Sequence, residues 1–195
     1  MSYLISLPGL LTAIIFHEIA HGLTAYWLGD PTAKNAGRLT LNPIKHIDPV
    51  GFMFMLIFRF GWAKAVPINP MYFKNRKLDT ILVSLAGVTV NFIIAIIIGA
   101  VLVYGNITNE TVLDMLGIGM WYNIMLGVFN LLPFPPLDGS KVVASLLPVK
   151  LEYFFYKYER YFYIVLLGLI ATDMVQRILG PLVNFAYSLI IRILV

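Results

Sequence analysis

Apolar residues run in long blocks along this chain, and polar positions collect between the blocks. The first block extends from about Leu4 to Leu28. At ~1.5 Å per helical residue it reaches across the ~30 Å hydrocarbon core of a bilayer, and Gly29-Asp30-Pro31 ends it. Two more blocks, about Leu78 to Tyr104 and about Leu113 to Leu132, are long enough to do the same. Between them lies a polar loop, 105–112, with Asn106, Asn109 and Glu110. Residues 137–147 read as a short helix. In 148–160, Lys150, Glu152, Lys157, Glu159 and Arg160 sit among tyrosines and phenylalanines, the mark of an interfacial amphipathic segment. Two apolar stretches follow, Tyr161–Ala171 and Ile178–Val195, parted by Asp173, Gln176, Arg177, Gly180 and Pro181. The first of them is marginal as a full span.

Residues 29–77 form a long connection with turn chemistry at Asn42-Pro43, Asp48-Pro49 and Asn69-Pro70. The apolar run within it, Val50 to Phe58, covers only ~14 Å as helix and cannot span. It reads as a membrane-dipping hairpin or re-entrant element, with a short tilted helix as the alternative. Backbone at that depth is tolerated only where protein or a wet cavity satisfies it. The expected fold is an all-α polytopic membrane protein of about five to six transmembrane or near-transmembrane helices, with a re-entrant, β-hairpin-like element after the first. We expect a single membrane-embedded domain over residues 1–195, with a core at about 4–147 and C-terminal helices at about 148–195. No internal repeat and no separate soluble domain are visible. A cleavable signal peptide is not expected, because the first block is long and lacks a basic leader.

Composition agrees: 59% of the 195 residues are hydrophobic and 12% charged, and mean hydropathy is +0.84. A net charge of +4 does not argue for nucleic acid, since the basic residues are scattered between apolar segments as topology signals are. The expected surroundings are a lipid bilayer. Loop 29–77 carries Lys34, Arg38, Lys45, Arg59, Lys64, Lys74, Arg76 and Lys77 against Asp30 and Asp48. Loop 105–112 is not basic, and 139–160 is basic again. The long loop and the segment after Asp138 therefore face the cytoplasm of a multi-pass protein, most simply in the cell membrane. The absence of cysteine excludes thiolate ligands, so a metal would be held by nitrogen and oxygen.

The first block contains His17-Glu18-Ile19-Ala20-His21, and Glu18 is its only formally charged side chain. Helix geometry puts residues four apart on one face, so both imidazoles can reach one metal ion. Glu18 then lies where a general base acts on a bound water. Ionisable groups at membrane depth cost on the order of 2.5–3.5 kcal/mol each on insertion scales, and a metal offsets that cost. The competing structural reading is a polar helix–helix contact.

A hydrolytic site needs a third ligand beside its open position. Without cysteine the choices are His46, Asp173 and Asp138. Asp138 is the best placed, in Asn130-Leu-Leu-Pro-Phe-Pro-Pro-Leu-Asp138-Gly139 at the end of a span. Pro133, Pro135 and Pro136 break the helix there, leaving Asp138 at the start of the next one, where a carboxylate also suits a capping role. Asn91 and Asn130, polar residues within apolar blocks, are candidates for contacts to substrate or oxyanion, against the alternative of helix–helix hydrogen bonding. His46 reads better as a loop-structuring residue than as a ligand.

These motifs carry a resemblance. H-E-I-A-H in a first membrane helix, A-G-V-T-V-N at 86–91 and N-L-L-P-F-P-P-L-D-G at 130–139 resemble the site-2 protease family of intramembrane zinc metalloproteases, peptidase family M50. The stretches 37–51 and 61–70 resemble its compact members, without PDZ or CBS domains. The resemblance covers roughly residues 10–145. It implies one zinc ion bound by His17, His21 and Asp138, Glu18 as the catalytic glutamate, and a transmembrane segment of another protein as substrate. The chain departs from the family pattern at Val88 and Ala65, where proline is common. Two other classes remain open: an ion-conducting or metal-transporting protein using His17, Glu18, His21 and Asp138, and a catalytically silent scaffold on the same fold. The oligomeric state is not legible.

Overall fold

Asparagine and aspartate side chains mark where several helices and turns of this chain begin. Asn75 accepts a hydrogen bond from the backbone N–H of Leu78, and Asn109 from that of Val112, satisfying first-turn donors that have no partner inside the helix. Asp48 does the same for Gly51, with Pro49 at the first helical position. Asn42 and Asn69, each followed by proline, cap short 3-10 turns at Pro43–Lys45 and Pro70–Tyr72.

The computed structural model describes residues 3–58, 61–172 and 174–195. Among them are eight α-helices: α1 Tyr3–Trp27, α2 Thr32–Asn35, α3 Pro49–Phe58, α4 Arg76–Tyr104, α5 Glu110–Leu131, α6 Asp138–Leu146, α7 Val149–Ala171 and α8 Met174–Leu194. Four are long and apolar enough to cross a membrane, namely Leu4–Trp27, Arg76–Tyr104, Glu110–Leu131 and Met174–Leu194. The protein is an all-α integral membrane protein.

Two local expectations are revised. Val50–Phe58 is the helix α3 rather than a hairpin strand. The Asp48 cap and Pro49 start a helix, and a helix satisfies its own backbone in apolar surroundings without a partner strand. Among the described residues, what pairs as antiparallel chain is one bridge, Ile47 with Ala63, and the bond from Lys64 N–H to His46 C=O at 2.9 Å. At the C-terminal end, the interfacial stretch and Tyr161–Ala171 merge into α7, and Gln176, Arg177, Gly180 and Pro181 lie inside α8 rather than in a break. Membrane helices accept an internal proline when neighbours re-satisfy the freed groups. Arg59 and Asp173 lie outside the described residues.

Helix α4 is the organising element and packs against α1, α5, α6 and α8. Ala95 of α4, Met120, Ile124 and Val128 of α5, and Leu179, Val183 and Ile190 of α8 form one buried apolar cluster. Helices α1 and α5 meet at two glycines: a Cβ on Gly9 would lie 2.6 Å from the Gly119 Cα. Such close backbone approach is how helices gain packing energy in lipid, where no hydrophobic drive brings them together. Glu152 of α7, buried, pairs with Arg76 at the start of α4 at 2.8 Å.

Candidate metal centre

His17 and His21 sit one turn apart on the face of α1 that meets α4, and both are buried. The crossing is possible because of Gly87. A Cβ there would lie 2.6 Å from His21 Nε2 and 2.7 Å from His17 Nδ1 and Cε1. One turn on either side of Gly87, α4 grips the two rings. His21 Nδ1 lies 2.7 Å from the Val83 carbonyl oxygen, and His17 Nδ1 lies 2.7 Å from Asn91 Oδ1. The Asn91 amide nitrogen donates to the Ala13 carbonyl and to Asn123 Oδ1, both at 3.0 Å. Asn123 in turn donates to the Gly119 carbonyl at 2.9 Å. A buried amide chain thus runs from α5 through α4 to the His17 ring.

The proline-rich segment after α5 brings the carboxylate in. Leu132–Leu137 leaves the helix, α6 starts at Asp138, and Gly139 packs against the carbonyls of Leu131 and Leu132 so closely that a Cβ would strike Leu131. This folds α6 back on the end of α5. Asp138 Oδ2 then stands 2.9 Å from His21 Nε2 and 3.1 Å from His17 Nε2, and the two Nε2 atoms are 2.9 Å apart. Lys141, one turn along α6, holds the other carboxylate oxygen at 3.0 Å.

The donor set fits a divalent cation. Both Nδ1 atoms face carbonyl oxygens, which only accept, so each ring carries its proton there. The Nε2 lone pairs of both neutral rings and a carboxylate oxygen are then turned on one another. Three buried acceptors at 2.9–3.1 Å turn toward one point the lone pairs that a divalent cation binds. Four ligands at ~2.0–2.1 Å in a tetrahedron have edges of about 3.3 Å, so these atoms need only move slightly apart to form such a face. Oxygen partners behind the ring nitrogens are also what metal-binding imidazoles ordinarily have. Among the described residues no other trio of His, Asp or Glu converges in this way.

Glu18, half-buried, sits beside His17, and its Oε2 accepts a hydrogen bond from Val66 N–H at 2.7 Å. His46 is buried in the loop, its Nε2 2.7 Å from the Thr40 carbonyl, and takes no part in the trio. Both ends of the Asn91 amide are occupied within the protein. Asn130 donates to the Leu126 carbonyl of its own helix at 3.1 Å. Ala65 contributes its carbonyl to Arg38, a bond that the proline common at this position could also accept. Sequence reasoning did not find Val83, Gly87, Asn123 or Lys141. Asn123 had a signal, a lone amide within an apolar span, and so did Lys141, one turn after Asp138; a backbone carbonyl has none.

Fold and site together define a class: an all-helical integral membrane protein whose helices converge on a buried His-His-Asp donor set with a glutamate alongside. Residues 100–172 match the model for "Peptidase family M50". The chain is 38% identical over 192 residues to "Putative zinc metalloprotease YwhC" of Bacillus subtilis, across 94% of this chain and 88% of that protein. It is 28% and 30% identical to the proteins named "Putative zinc metalloprotease Rip2" of Mycolicibacterium smegmatis and Mycobacterium tuberculosis. Those matches take in 70% of this chain and span 55% of the Rip2 length. No solved structure matches. The chain belongs to peptidase family M50.

Proposed function

We propose that this peptidase is an intramembrane zinc endopeptidase that cuts other membrane proteins in or near their transmembrane segments. The observation that carries the reading is the convergence of His17, His21 and Asp138 on one point beside Glu18. One zinc ion held by those three residues would supply Lewis acidity, polarising a water so that it ionises near neutral pH.

The Glu18 carboxylate serves as the proton carrier. It takes a proton from the attacking water at one oxygen and returns it to the leaving amine nitrogen, while the Val66 N–H steadies Oε2. His17 and His21 are kept in one tautomer by Asn91 and the Val83 carbonyl, so they bind rather than shuttle protons. Depth supports an intramembrane reaction. His17 lies ten residues before the end of α1 at Trp27, about 15 Å of helix, or half of a ~30 Å hydrocarbon core. That end leads into the basic 29–77 loop, so the site opens toward the cytoplasmic side of the cell membrane under the positive-inside rule.

The test is cleavage of a membrane-anchored reporter by the purified protein in liposomes. We expect cutting that a chelator stops, that zinc restores, and that Glu18→Gln lacks. Transport of ions without cutting, or cutting that survives in Glu18→Gln, would defeat the reading.

A further inference from the structure

A buried arginine without a carboxylate partner needs explaining. Arg38 follows Gly37, whose φ of 64° ends α2. Gly37 N–H bonds to the Lys34 carbonyl and Arg38 N–H to the Ala33 carbonyl, at 2.9 and 3.0 Å, the paired bonds of a glycine-terminated helix. This turn sends the Arg38 side chain inward, to 5% exposure. Among the described residues it makes no ion pair with Asp or Glu, and its Nε has no partner. Its Nη1 donates to the Ala65 carbonyl at 3.0 Å and its Nη2 to the Lys64 carbonyl at 2.5 Å. Taking a guanidinium out of water for two neutral carbonyls is costly.

The next bond supplies the reason. The Ala65 carbonyl and the Val66 N–H are the two ends of one planar, resonance-linked peptide group. That N–H lies 2.7 Å from Glu18 Oε2. We propose that Arg38 is a positioning residue for Glu18, acting through the 65–66 peptide group. The guanidinium on one end and the carboxylate on the other polarise the peptide in the same sense, so each bond strengthens the other. Two unlike charges, 20 positions apart and never in contact, stabilise one another across a neutral unit. The arrangement also locks the 64–66 segment, by two carbonyls, at the distance from α1 that Glu18 requires. Val66 is itself buried, so water does not compete for its N–H. The geometric claim stands alone; its catalytic consequence rests on the role proposed above for Glu18.

The experiment is NMR of the full chain in detergent with labelled valine, read at the Val66 amide proton, beside peptidase kinetics and zinc content. In the wild type this proton should resonate downfield, as charge-assisted donors do. Glu18→Gln should move it upfield. Arg38→Met should also move it upfield although Glu18 is intact, and Arg38→Lys, which keeps the charge but not the fork, should fall between. In the kinetics, Arg38→Met should lower kcat ~10–100-fold, the scale of a small misplacement of a reacting group, with KM and bound zinc near wild type. In Val66→Pro, which lacks the N–H, Arg38→Met should add no further loss. A Val66 resonance in Arg38→Met that coincides with wild type overturns the proposal, as does a full multiplicative loss in the double variant. Should Val66→Pro not fold, the resonance alone decides. If the shifts behave as expected while Glu18→Gln still cuts substrate, the relay stands and the proposed function falls.

Discussion

His17 Nε2 and Asp138 Oδ2 face each other at 3.1 Å across 121 residues of chain. In the neutral imidazole, with its proton held at Nδ1 by the Asn91 amide oxygen, neither atom has a proton to give the other. The pair makes sense with a cation between its members.

Asp138→Asn keeps the size of the side chain and removes its charge. We expect zinc affinity to fall by more than the ~10–100-fold typical of losing a partner behind a ligand, with the helices intact by circular dichroism. Metal analysis of the purified variant checks it; wild-type zinc content would remove Asp138 from the ligand set.

Glu18→Gln should bind zinc like the wild type, because Glu18 makes its bond to Val66 rather than to the trio. Peptidase turnover should fall ~10²–10⁴-fold, the usual worth of a positioned general base. Zinc titration and reporter cleavage on one preparation separate binding from chemistry.

Gly87→Ala tests the helix crossing. Alanine is favoured over glycine in a helix by about 1 kcal/mol, but its Cβ would meet His21 Nε2 at 2.6 Å. Gly117→Ala in α5 is the control, since a Cβ there meets nothing within 4 Å. We expect zinc binding to be lost in the first variant and kept in the second.

Asn91→Leu removes the bond to His17 and strands the Asn123 amide oxygen. Zinc affinity should drop ~10–100-fold. Thermal stability should fall too, by about 1–3 kcal/mol for the buried amide left unpaired. Calorimetric titration and a melting curve measure the two effects separately.

Stripping the metal should lower the melting temperature of the wild type. A ligand bound only by the folded state stabilises it by about 2.7 kcal/mol at a free concentration of 100 Kd. The same chelator should leave the melting of Asp138→Asn unchanged, and an equal drop in both proteins would mean that zinc stabilises from elsewhere.

Much of this protein was visible in one dimension. The long apolar blocks became α1, α4 and α5 because twenty or more apolar residues in lipid have no alternative to satisfying their own backbone. The three turn dipeptides, Asn42-Pro43, Asp48-Pro49 and Asn69-Pro70, each begin a helical turn, since a side-chain oxygen followed by proline is a local device. The His17–His21 spacing needed only the helical period. Val50–Phe58 reads as a hairpin before it reads as a helix because a nine-residue apolar run has no periodicity that separates the two. The start of α8 falls earlier than expected because Gln176 and Arg177 resemble a break but lie within a helix packed on α4 and α5.

What depended on the folded chain is the meeting of parts. Local pattern offered Asp138 as a candidate, but only the return of α6 against α5 sets its oxygen beside both imidazoles. The Val83 carbonyl and the Arg38–peptide–Glu18 line have no local signature, and nothing local says that Gly87 lies under the two imidazoles or that Asn123 reaches Asn91. They matter through distances of about 3 Å between segments far apart in sequence. Spacing along a helix is set by bonds within a few residues and can be read from the letters. Contact between helices is set by how whole surfaces pack, and that exists only in three dimensions.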